Sequence, residues 1–164
     1  MVKIGPFEIN LIPEPSWGKK IETILGKDAW RVIRERELKR AGYKCEICGS
    51  RQKPLHVHEL WEFDEEKGLQ ILKRLIVVCE KCHLVFHLGY ANTQGRLKEA
   101  IEHLVRITGI KYDEAKALVE KAFDEWVRRS RREWKIIIPD DLHIKIKRDN
   151  RQATLDKWLA SSKS

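Results

Sequence analysis

Apolar and polar positions change period several times along this chain, and each change marks an element. From Leu55 to Phe63 they alternate as in a strand, with Leu55, Val57, Glu59, Trp61 and Phe63 on one side. Leu69 to Val78 reads as a second strand. Asp64-Glu65-Glu66-Lys67-Gly68 is the loop between them, so the two form a hairpin. Upstream, Asp28 is placed to cap a helix running to about Ala41, with Trp30, Ile33, Glu37 and Leu38 near one face and Gly42 ending it. Downstream, Leu97, Ile101, Leu104 and Val105 predict a helix from about Gln94 to Thr108. Ala117, Leu118, Ala122, Phe123 and Trp126 predict another that starts at Asp113. A turn at Gly109 makes these two a helical hairpin whose apolar stripes are core.

The remaining stretches are less regular. Residues 1–16 are apolar but carry Pro6, Pro13 and Pro15, which suits an extended arm or short edge strand. Ser16 to Leu25 admits a short helix, with Trp17 as an anchor and Gly26 as its stop. Gly89 and Gly95 bracket an expected loop containing Asn92. Trp134 to Ile138 reads as a short strand broken by Pro139, and His143 to Lys147 alternates as another. From Arg148 the chain turns polar, and Ser161 to Ser164 is expected to fray. The expected architecture is α+β: a stapled hairpin-and-helix cassette among several helices, with short strands near the C-terminus. It divides into an N-terminal arm (1–26), the cassette with its preceding helix (27–92), a helical hairpin (93–135) and a C-terminal extension (136–164), all in one globular unit.

Charge adds a partner class. The 164 residues carry a formal net charge of +8, which makes a polyanion a reasonable partner. Arg128, Arg129, Arg131, Arg132 and Lys135 form the sharpest basic cluster. Such clusters are usually solvated, but beside a nucleic-acid site they could grip phosphates. The basic residues among 31–40 fit a solvated helix face. Met1 to Pro15 lacks a secretory signal, and no window approaches a membrane span, so a cytoplasmic setting without a membrane partner is expected.

Cysteine and histidine spacing carries the chemistry. Cys45-Glu46-Ile47-Cys48 and Cys79-Glu80-Lys81-Cys82 contain all four cysteines of the protein. Two such pairs match a tetrahedral structural zinc site. Two disulfides are the alternative, but a disulfide within Cys-x-x-Cys belongs to a thioredoxin-like βαβ context, absent here. Zinc would supply folding energy that a small hairpin cannot get from packing. His83 and His87, four apart, share one face of the helix expected to start at the second pair and run to about Leu88. His58 comes from the hairpin. Three imidazoles with an open fourth position could hold a catalytic divalent metal, with zinc, nickel or manganese favoured over magnesium. His56 shares a strand side with His58 and is taken as a neighbour only. His103 and His143 receive no role.

The cassette resembles the HNH endonucleases, which carry a ββα-metal finger. It looks most like the phage and bacterial HNH-type proteins with a Cys-x-x-Cys pair, a His-Glu-x-Trp strand and a Cys-x-x-Cys-His-x-x-x-His segment. Here those are Cys45/Cys48, His58-Glu59-Leu60-Trp61 and Cys79/Cys82-His83/His87. The likeness extends to Ile12-Pro13-Glu14-Pro15-Ser16-Trp17-Gly18 and to Phe123-Asp124-Glu125-Trp126, covering most of residues 12–135. It implies metal-dependent cleavage of DNA phosphodiesters. Carried over, His58 falls at a ligand position, Glu59 at the base position, and His83 and His87 at the remaining ligand positions. Glutamate then stands where the family has its base histidine. The other register makes His58 the base and puts Val57 at the ligand position, leaving the metal short of a ligand. The resemblance also implies minor-groove docking, with Arg96, Arg128, Arg129, Arg131 and Arg132 as candidate phosphate contacts. A zinc-stabilised nucleic-acid-binding protein without cleavage is the rival expectation, and a protein–protein adaptor with a zinc knuckle is a second.

Overall fold

The computed structural model describes residues 1–139. The strand expected at His143–Lys147, the polar stretch from Arg148 and the frayed Ser161–Ser164 lie outside the described residues. Where an extended arm or one short edge strand was expected, two short strands, β1 (Val2–Ile4) and β2 (Phe7–Ile9), form an antiparallel hairpin. Its turn is tight. Gly5 has φ +55, and a Cβ there would meet the Thr108 side chain at 2.9 Å, a conformation and a contact that favour glycine. Val2, Ile4, Phe7 and Ile9 are all buried. The prolines do not oppose this, because Pro6 sits in the turn, Pro13 precedes a 3-10 turn at Glu14–Ser16 and Pro15 lies within it.

Helices α1 (Ile21–Leu25) and α2 (Lys27–Arg40) meet at Gly26, whose φ of 90° serves both as the end of one and the start of the other. Asp28 therefore does not cap α2. It lies in the first turn, and no side-chain cap bond forms. A negative charge there still favours the helix N-terminus.

Strands β3 (Leu55–Asp64) and β4 (Leu69–Cys79) form the expected hairpin, from Leu55 opposite Cys79 to Asp64 opposite Leu69. The ladder shifts once. Leu60 faces Arg74 and Trp61 faces Leu72, so Lys73 is an extra residue on β4. Then come α3 (Glu80–Phe86), α4 (Leu88–Thr93), α5 (Leu97–Thr108) and α6 (Tyr112–Arg129). The loop expected around Asn92 is thus helix α4, and the first helix breaks at His87. Gly109 makes the α5–α6 turn in a left-handed conformation. Strand β5 (Lys135–Ile137) pairs parallel with the start of β4, giving the sheet order β3-β4-β5. Parallel pairing across that sequence distance needs a long crossover, which no local pattern announces.

The long hairpin has a core on each face. Leu60, Ile76 and Val78 join the larger one, with Phe7, Val85, Phe86, Leu104 and Val119. Trp61, Leu72 and Leu75 join the smaller one, with Ile21, Ala29 and Ile33 from α1 and α2. Burying each large apolar side chain contributes about 1.5–3 kcal/mol. The two cores therefore fix which way every β3 side chain points.

Candidate metal centres

The first cysteine pair is sewn to β4 before any metal is considered. Glu46 N–H donates to the Val77 carbonyl at 2.8 Å, and Val77 N–H donates to Glu46 Oε2 at 2.6 Å. Arg40, at the end of α2, grips the same carboxylate through two bonds of 2.9 Å and also reaches Glu37. Burial pushes the Glu46 carboxyl up, but Arg40 and the Val77 N–H outweigh it and hold it below the usual range. Within the knuckle, Gly49 N–H donates to the Cys45 carbonyl and Cys48 N–H to Cys45 Sγ. Gly49 has φ +74, which closes the turn without strain.

The second pair brackets the start of α3, with Cys79 at its N-cap and Cys82 in its first turn. All four cysteines are free of disulfides, and their sulfurs lie within 4.8 Å of one another. Cys48 Sγ and Cys79 Sγ are 3.7 Å apart. Four sulfurs about 2.3 Å from a central zinc would sit about 3.8 Å from each other in a tetrahedron. The donor set and the spacing therefore fit a metal ion. The sulfurs cannot all carry charge unaided. A hydrogen bond from Cys82, stronger than the opposing effect of burial, brings the Cys45 thiol down to about 4. The same contact, with burial, drives Cys82 far up. A cation is what lets four thiolates coexist.

The histidine cluster begins at the next residue, His83. His58, His83 and His87 bring their ring nitrogens within 4.8 Å of one another. His83 Nε2 and His87 Nε2 are 3.0 Å apart. Two nitrogens about 2.0–2.1 Å from one tetrahedral ion would be separated by about 3.3–3.4 Å, a few tenths of an ångström wider than this pair. The rings stand edge to face: His83 to His87 at 4.4 Å and 83°, His58 to His87 at 4.9 Å and 90°. Phe86 stacks on His58 at 4.7 Å. The i, i+4 presentation survives although His87 is the helix C-cap, because its N–H still donates to the His83 carbonyl. Burial is the main cause that lowers all three pKa values. Neighbouring imidazoles add to it at His58 and His83, and the Lys20 charge adds to it at His87. His83 falls to about 3. Neutral imidazoles are what metal binding requires.

Glu59 is not brought into this cluster. Neighbouring strand residues point to opposite faces, and Glu59 Oε1 accepts the Ile21 N–H at 2.8 Å, at the start of α1. Burial raises its carboxyl, against the hydrogen bonds from Ile21 and Trp61. Its position suits a cap for α1 better than a proton acceptor for the histidine site. Lys20, which no sequence pattern singled out, is exposed and electrostatically close to both Glu59 and His87. His56 stacks flat on His83 at 4.5 Å and 12°, with its Nε2 buried and unpartnered among the described residues. Strand parity with His58 was its only signal. His103 contacts Cys82 Sγ at 3.1 Å, and nothing in its helical surroundings announced that.

The arginines proposed as phosphate contacts are mostly committed within the fold. Arg129 is 5% exposed, pairs with Glu65 and Glu125, donates to Asn10 and lies over the Phe63 ring. It cannot meet a phosphate without unpacking. Arg128 also pairs with Glu65, and Arg132 donates to the Glu65 carbonyl and lies over Trp134. Arg96 pairs with Glu99. Arg131 is exposed, without an ion pair among the described residues. No described helix is long and apolar enough to cross a membrane. No family model, curated protein or solved structure matches the chain.

Proposed function

We propose that this protein is a metal-dependent endonuclease of HNH type that hydrolyses DNA phosphodiesters. The observation that carries the proposal is the convergence of His58, His83 and His87 on one point, beside a separate four-cysteine centre. In this reading Cys45, Cys48, Cys79 and Cys82 hold a structural zinc that fixes the start of α3 against the hairpin. The three imidazoles hold a second divalent ion. Nitrogen donors select zinc, nickel or manganese over magnesium. Such an ion supplies Lewis acidity toward a phosphoryl oxygen and acidifies water near neutral pH. That second property removes the need for Glu59 as base, and Glu59 keeps its place on Ile21. The ring contacts of Phe86 and His56 hold the ligands in position. Lys20 offers a cation at the rim of the site for a neighbouring phosphate, and Arg131 offers one elsewhere on the surface.

Plasmid nicking tests this. Wild-type protein with added manganese, nickel, zinc or magnesium is compared with His87→Ala. Metal-dependent nicking that disappears in the variant supports the enzyme. Absence of nicking with every metal rejects it. A second reading, a zinc-stabilised nucleic-acid-binding protein without cleavage, is favoured by one observation: the glutamate at the family's base position is occupied elsewhere. Salt-sensitive DNA binding without nicking would support that reading.

A further inference from the structure

We propose that Arg106 and His103 form a two-residue relay that donates a hydrogen bond to Cys82 and thereby holds the charge of the four-cysteine metal centre. The relay rests only on that centre being metal-loaded, not on nuclease activity. Its direction follows from donor chemistry. Arg106 Nη2 lies 2.9 Å from His103 Nδ1, and a guanidinium can only donate. Nδ1 must therefore be bare, so the ring proton sits on Nε2. That nitrogen is 3.1 Å from Cys82 Sγ. Once a metal draws the thiol proton away, the sulfur is an acceptor, and the Nε2–H is aimed at it. The guanidinium thus sets a tautomer, and the tautomer sets which way the last bond points.

The placement gives this bond two consequences. Cys82 is fully buried and precedes His83, so the hydrogen bond ties α5 to the first turn of the helix that carries the histidine ligands. A cavity of about 250 Å3, lined by Lys81, Leu84, Glu99, Glu102, His103 and Arg106, lies on the outer side of the pair. His103 lines that cavity and contacts the sulfur, so it borders both. A thiolate that shares its charge with a donor is a weaker nucleophile, and an outer partner of a metal ligand typically governs 10- to 100-fold in metal affinity. The relay acts on the ligand. It is a positioning device and touches no substrate.

The test uses the full chain loaded with cadmium-113 or zinc. In the wild type, long-range proton–nitrogen spectra should show His103 protonated at Nε2 and bare at Nδ1, with coupling from that proton to cadmium. His103→Phe fills the same space without a donor. It should weaken zinc binding by about 10- to 100-fold and speed peroxide-driven zinc loss, read with a chromophoric chelator. Arg106→Ala should let the proton populate Nδ1 and loosen zinc, and Arg106→Lys should restore both. A wild-type His103 bare at Nε2 overturns the relay, even if the variants fail to fold. So does a folded His103→Phe protein that keeps zinc as the wild type does, which would leave His103 a spacer only. A chain that purifies without metal and takes none up rejects the four-cysteine centre itself, which is a different failure.

Discussion

The cysteine and histidine clusters meet at the Cys82–His83 peptide, yet they are built on opposite plans. The sulfurs are held by backbone. Cys45, Glu46, Cys48 and Gly49 are all fixed by main-chain bonds, and the set is closed by protein on most sides. The imidazoles are held by packing of rings on rings, none of them fully buried, with no backbone bond defining their tips among the described residues. A closed, fully ligated site stabilises, whereas a site with an open position can do chemistry. One short helix carries residues of both, so whatever steadies Cys82 also positions His83.

The sharpest break of that contrast is removal of the cysteine centre. Cys82→Ser, or a strong chelator on the wild type, should abolish cooperative thermal unfolding of the chain, followed by circular dichroism. Apparent binding free energies of structural zinc in small fingers, about 10–16 kcal/mol, match or exceed the whole stability of a typical domain. A melting curve indifferent to both would refute a stapling role. Next comes His87→Ala. Metal content should fall from two equivalents to one, and nicking should drop by at least about 100-fold, while the melting temperature moves by only a few degrees. A collapse in melting temperature instead would make the histidine cluster a second structural site.

Acid should separate the clusters further. The folded-state pKa values of His58, His83 and His87 are depressed below the ordinary 6.5. The unfolded chain therefore binds protons first, and the stability these residues contribute is complete above about pH 6.5. It is lost as pH falls toward 3, the value for His83. Denaturant midpoints of protein loaded with a single equivalent of zinc, which fills the cysteine centre and leaves the histidines free, should fall from pH 7.5 to 4, and His83→Asn should flatten the slope. The smallest effects concern the arginines. Arg129→Ala should cost about 2–3 kcal/mol by urea unfolding, since the buried guanidinium also serves the nearly buried Glu125 carboxylate and the half-buried Asn10 amide. Arg128→Ala, at the exposed edge of the same carboxylate, should leave the midpoint unchanged. Equal effects would mean that the Glu65 network is not graded by burial.

Where the signal was local, the sequence was legible. The β3–β4 hairpin follows from alternation, both knuckles from Cys-x-x-Cys spacing, and α5 and α6 from helical period. The i, i+4 pairing of His83 and His87 was also visible, and it persists although the helix ends between them. The bond Glu59 makes was not legible, because a motif position says nothing of what else competes for a carboxylate, and the Ile21 N–H at the start of α1 does compete. The Arg128–Arg132 run looked like a phosphate grip because charge is visible in a sequence and its partner, Glu65, is some sixty residues away.

The donors were readable from residue order alone. Four thiols and three imidazoles, at spacings that local geometry must bring together in pairs, already define what kind of ion each could hold. The company those donors keep came from packing between distant segments. The two cores set which face of β3 carries His58 and which carries Glu59, and the packing of α5 on α3 put His103 against Cys82. The physical reason is that coordination motifs are short-range in the chain. Burial, tautomer and charge compensation depend on whichever distant segments pack against them.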